Sequence, residues 1–129
     1  MKYTIDWLDG NGPVQGEGTI SFTYNEELFE SEWYFRARGN SWSLSIEFNT
    51  ISNPELEKFD FINKFEQIKI YDVYSDGIPR PTWVVYITEL AICKIYSDEP
   101  YAAGWMKISE AEELIKQAFL DFEKIIYEL

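Results

Sequence analysis

The chain has no histidine, one cysteine, and only 11 Lys and Arg against 23 Asp and Glu in 129 residues. The absent imidazole removes the commonest general base and the commonest metal ligand, and with them any Ser-His triad built within this chain. A single cysteine, Cys93, excludes an internal disulfide and fits a reducing compartment. Its neighbours Ala91, Ile92 and Ile95 predict a buried structural thiol, since reactive thiolates need an electropositive, partly exposed setting. The shortage of cations, with a formal net charge of −12, argues against direct binding of nucleic acid, because duplex binding relies on Lys and Arg displacing condensed counterions. There is no run of 18 apolar residues, and Met1-Lys2-Tyr3-Thr4-Ile5-Asp6 places an acid where a signal peptide is apolar. The expectation is a soluble, cytoplasmic protein with no membrane partner.

Aromatic residues are abundant: 5 Trp, 9 Tyr and 9 Phe. Disordered acidic chains are poor in such residues, so one folded domain over 1–129 is expected. Tyr3, Ile5 and Trp7 suggest a first strand. The stretch from Asp9 to Gly18 holds four of the seven glycines, but it lacks the Gly-Lys-Ser/Thr ending of a phosphate loop and reads as a flexible connection. Ile20, Phe22 and Tyr24 alternate with Thr19, Ser21 and Thr23 as in a half-buried strand, and Asn25 to Glu30 reads as an acidic turn.

The segment from Ser31 to Phe48 is the clearest. A tight turn at Gly39-Asn40 sets Trp33 opposite Ile46, Phe35 opposite Leu44 and Ala37 opposite Trp42. One face then carries Trp33, Phe35, Ala37, Trp42, Leu44, Ile46 and Phe48. The other carries Glu32, Tyr34, Arg36, Arg38, Ser41, Ser43, Ser45 and Glu47. Slipping the register by one would set Trp33 and Phe35 opposite serines. Beyond it, Pro54 and the spacing of Leu56, Phe59, Ile62 and Phe65 predict a short helix near 54–65. Residues 68–74 read as a strand, Trp83 to Ile87 as a central strand buried on both sides, and Ala91 to Tyr96 as a further strand. Ser109 and Glu112 form a capping-box pattern ahead of an apolar stripe through Ala111, Ile115, Ala118, Phe119, Phe122 and Ile126. The predicted fold is α+β: an antiparallel, strongly bent sheet of five to seven strands packed by a long C-terminal helix.

Few residues point to chemistry. Arg36 and Arg38, with Ser43 beside them, form either an anion site or a set of cross-strand charge pairs with Glu32 and Glu47, the commoner arrangement on such a face. Asp72, Asp76 and Asp98-Glu99 lack the order of a calcium loop, and no metal or cofactor is expected. What remains is surface recognition: acids at Glu26, Glu27, Glu30, Glu32, Glu110 and Glu113, with Tyr101 and Trp105 as loop aromatics, would suit a basic protein partner.

The run Tyr34-Phe35-Arg36-Ala37-Arg38-Gly39-Asn40-Ser41-Trp42-Ser43-Leu44-Ser45-Ile46, with Ala103-Gly104-Trp105-Met106 leading into Glu110-Ala111-Glu112, resembles a pattern in small uncharacterised proteins of bacteria and their phages. The resemblance implies an origin in which small acidic proteins occlude nucleic-acid-handling enzymes. The expectation is therefore a non-enzymatic inhibitor of the anti-CRISPR or other anti-defence type, masking a basic effector or nuclease. The alternatives are a toxin-immunity protein, and a domain or enzyme that takes an anionic small molecule at Arg36 and Arg38.

Overall fold

A computed structural model describes residues 1–10, 13–65, 83–86, 89–99 and 101–128. The fold is α+β. Six strands, β1 (Lys2–Asp9), β2 (Val14–Tyr24), β3 (Glu27–Arg38), β4 (Ser41–Glu47), β5 (Val84–Tyr86) and β6 (Glu89–Ile95), form one antiparallel sheet in the order β1-β2-β3-β4-β6-β5. The helix α1 (Ile108–Glu128) covers one face of it.

Strand parity explains why that face is the core. Val14, Ile20 and Phe22 of β2, Phe29, Trp33, Phe35 and Ala37 of β3, Trp42, Leu44 and Ile46 of β4, and Leu90 and Ile92 of β6 are all buried and in register across the strands. The β3–β4 hairpin has the predicted pairing at every step from Trp33–Ile46 to Arg38–Ser41. Gly39, with φ of 61°, occupies the first central position of its turn, where a type II′ turn calls for glycine. The stripe Ala111, Ile115, Ala118, Phe119, Phe122 and Ile126 lies buried on α1, as its spacing predicts.

Two indole N–H groups tie distant elements together. Trp83 donates to the carbonyl of Ala118 in mid-helix at 3.0 Å, with its ring beside Phe119 and Phe122. Trp33 donates to the carbonyl of Thr4 at 3.0 Å, reaching across β2 to β1. Gly18 sits between them, and a Cβ there would lie 1.8 Å from the Thr4 oxygen and 2.9 Å from the Trp33 ring. The register of β1 shifts immediately afterwards, between Ile5 and Trp7. Such a bulge turns Trp7 onto the outer face opposite Glu17 and leaves it half exposed.

Three expectations need correction. Residues 14–18 are not a connection but the first half of β2, whose alternation begins at Val14. The acidic turn is only Asn25-Glu26, both with positive φ, and Glu27 already belongs to β3. The short helix near 54–65 is two 3₁₀ turns, Pro54–Lys58 and Asp60–Lys64, broken at Phe59. The interval of three from Leu56 to Phe59 to Ile62 to Phe65 is the repeat of a 3₁₀ helix, and it lets Phe59, Phe61 and Phe65 all enter the core. Among the described residues β5 pairs only with β6, and β3 and β4 lie inside the sheet; whether the run Trp83 to Ile87 is central depends on neighbours outside the described residues. The strand expected at 68–74 lies outside the described residues.

Phe61 is the hub of the core, in ring contact with Phe22, Tyr24, Phe29, Phe48 and Phe122. Lys64 anchors the second 3₁₀ turn by donating to the Ile126 carbonyl near the end of α1 at 2.6 Å.

Gly18→Ala is expected to destabilise the protein by about 1–3 kcal/mol, because the added methyl meets backbone and a buried indole that cannot move aside. Urea unfolding measures it. An unchanged midpoint would mean that β1 is not held by the Trp33 bridge.

Candidate functional site

The second face of the sheet bears side chains that the core excludes, and no described helix lies on it. Along β3 these are Leu28, Glu30, Glu32, Tyr34, Arg36 and Arg38, in that order. Antiparallel pairing sets Ser43 opposite Arg36, Ser45 opposite Tyr34, and Glu47 beyond them. Charge is therefore sorted along the strand. Glu32 and Arg36 are four residues apart, about 13 Å at a strand's rise, so they are not cross-strand partners.

At the acidic end the same register extends through four strands. Thr19 pairs with Glu32, Glu47 follows the last paired step of β3 and β4, and Glu47 pairs with Glu89. Like charges in neighbouring strands destabilise a sheet. Around them lies a cleft of about 350 Å³ lined by Asp6, Glu17, Glu32, Tyr34, Glu47 and Glu89, with no Lys or Arg among its described lining residues. Burial raises the carboxyl pKa of Glu89 above its ordinary value, and a hydrogen bond from Ser45 opposes the rise in part. Tyr34 is tied by its hydroxyl to the Gln15 side chain. Among the described residues no group of acidic or thiol side chains is arranged to hold a metal ion.

At the other end, Arg36 and Arg38 face a different neighbour. The carbonyls of the hairpin turn accept hydrogen bonds from the chain after β6: Asn40 from Tyr96 at 2.7 Å and Ser97 at 3.3 Å, and Gly39 from Ala103 at 2.9 Å. These bonds strap the 3₁₀ turn Ala102–Trp105 onto the hairpin tip, burying Ala103 and leaving Trp105 exposed. Tyr101, at its entry, is held with φ of 70°, a conformation rare for a tyrosine, and its ring is exposed. Between turn and hairpin opens a cleft of about 570 Å³ whose lining includes Pro13, Arg36, Arg38, Tyr101 and Trp105. Neither arginine forms an ion pair with a described residue, and Nε of Arg36 is buried without a hydrogen-bond partner.

The residues singled out in the sequence thus regroup. Tyr101 and Trp105 join Arg36 and Arg38, not the acids. Ser43 pairs with Arg36 on the same face but is not among the residues of the cleft. Glu30 and Glu32 stand on the outer face, Glu26 lies in the β2–β3 turn, and Glu27 pairs with Lys58 at 3.1 Å. Glu110 and Glu113 are on the exposed side of α1, across the sheet, where Glu110 accepts from the Tyr96 hydroxyl at 2.6 Å. Asp6, Glu17 and Glu89 were not anticipated. The β1 bulge brings Asp6, the β2–β3 pairing that sets Glu17 opposite Tyr34 brings Glu17, and the placement of β6 beside β4 brings Glu89 to the acidic cleft.

No family model, curated protein or solved structure matches the chain.

Glu89 gives a test of the acidic cleft. A carboxyl whose folded pKa is raised binds its proton more tightly when folded. It therefore weakens the fold as pH rises from the ordinary value of 4.5 through the raised one. Glu89→Gln is expected to stabilise the protein at neutral pH, with the gain vanishing below pH 4.5. Thermal melts of both proteins across that range check this. A gain that persists undiminished in acid would show that charge is not its cause.

Proposed function

We propose that this protein is a non-enzymatic binding protein that presents the outer face of its sheet to a basic protein surface. The observation that carries the reading is the acidic cleft, in which carboxylates from β1, β2, β3, β4 and β6 converge with no cation among its described lining residues. Holding like charges side by side weakens the isolated fold, and a partner bearing Lys or Arg relieves that repulsion on binding. The net charge of −12 extends the attraction beyond contact, which speeds association with a basic surface. Proteins that handle nucleic acid carry such surfaces, because they must neutralise phosphates. A small acidic protein seated there blocks the nucleic acid. Inhibition of a defence effector and immunity against a toxin nuclease are both forms of that action.

An oligolysine peptide serves as the probe. NMR titration at low salt is expected to shift resonances around Glu17, Glu32, Glu47 and Glu89, and the affinity should collapse near 1 M salt, where the Debye length falls to about 3 Å. Glu32→Lys with Glu47→Lys should abolish the localised shifts in a folded protein. Shifts spread evenly over the sheet and the outer face of α1, or an affinity indifferent to salt, would refute the reading.

A further inference from the structure

We propose that the cleft between the β3–β4 hairpin tip and the Ala102–Trp105 turn is a binding site for a mononucleotide, with phosphate oxygens on Arg36 and Arg38 and the base stacked against Trp105 and Tyr101. The site stands apart from the acidic cleft and does not depend on how that cleft is used.

Three features point to this ligand. The first is charge. In a chain with twice as many acids as bases, two arginines project side by side from one strand into a cleft, and neither is neutralised by a described carboxylate. Nε of Arg36 is buried and unpartnered, a costly state for a charged group that an anion on the same guanidinium would offset. Arginine's planar fork matches phosphate oxygens two at a time.

The second feature is aromatic. Trp33, Trp42 and Trp83 are 4% exposed or less, whereas Trp105 is 74% exposed and Tyr101 72%. Both flank the arginines, and nothing in the described core uses their rings. A flat base has the π-face such side chains stack on. The third feature is size and surroundings. The volume, about 570 Å³, lies in the usual range for small-ligand sites. The acids farther along β3 would repel the next phosphates of an extended strand, so a single nucleotide suits the cleft and a polynucleotide does not.

The test uses the whole chain and ADP and GDP as probes, followed by tryptophan fluorescence and NMR, with inorganic pyrophosphate as the ring-free control. Expected are saturable binding of at least one nucleotide, a quench that disappears in Trp105→Phe, and pyrophosphate binding at least tenfold weaker than that nucleotide. Arg36→Gln with Arg38→Gln should weaken nucleotide binding at least tenfold. Arg38→Gln alone, at an exposed position, gives the same direction of change if the double variant fails to fold. Trp105→Ala should weaken nucleotide binding while leaving pyrophosphate unchanged. The proposal is overturned by no saturable binding of either nucleotide at millimolar concentration. It is equally overturned by affinity unchanged in the arginine variants, by pyrophosphate binding as tightly as nucleotide, or by saturation with a Glu-rich peptide where nucleotides give none.

Discussion

Burial of alternate side chains along β3 is the constraint on which the rest of the molecule depends. Phe29, Trp33, Phe35 and Ala37 are sealed between β2, β4 and the buried stripe of α1, so the intervening residues have only the other face to occupy. Because the side-chain period of a strand is two, the sheet cannot bury one set without displaying the other. The displayed set runs from glutamates to arginines, so a packing requirement becomes a surface with two electrostatically opposite ends. Trp33 extends the constraint sideways: its reach over Gly18 to Thr4 helps hold β1, whose bulge brings Asp6 and Trp7 to the outer face.

The two ends are completed by different means. The acidic end is a matter of register, since Glu32, Glu47 and Glu89 are neighbours through strand pairing alone. Like charges side by side cost the sheet stability, and burial of Glu89 adds a desolvation cost that raises its carboxyl pKa. The arginine end is a matter of backbone satisfaction. The turn carbonyls of Gly39 and Asn40 face outward at the hairpin tip, and they are met by the N–H groups of Tyr96, Ser97 and Ala103. That exchange of hydrogen bonds brings Tyr101 and Trp105 to the arginines, although more than sixty residues separate them in the chain.

How legible these features are depends on whether they are local. The hairpin register and the helix stripe can be read because each is a short-range periodicity with large apolar residues on one side and polar ones on the other. The first half of β2 is harder, because Gly16 and Gly18 look like loop residues. At Gly18 the glycine is required instead by the close approach of β1 and the Trp33 ring. The 3₁₀ turns are harder for a related reason: apolar residues at intervals of three fit either helix type, and the need to seat Phe59, Phe61 and Phe65 together in the core decides between them. Trp83 to Ile87 reads as a buried strand from its unbroken apolar run, and Trp83 is indeed sealed against α1 by its bond to Ala118.

The sequence by itself determined the α+β class, the pairing and facing of β3 and β4, the stripe that α1 buries and the acidic excess. All of these follow from composition or from contacts between near neighbours in the chain. Only the tertiary structure decided which charged residues share a surface. It placed β6 beside β4, so that Glu89 joined Glu32 and Glu47, and it strapped the Ala102–Trp105 turn to the hairpin tip, so that Tyr101 and Trp105 joined Arg36 and Arg38. Those associations arise from strand order and from backbone hydrogen bonds between distant segments, neither of which leaves a periodic trace in the residues they bring together.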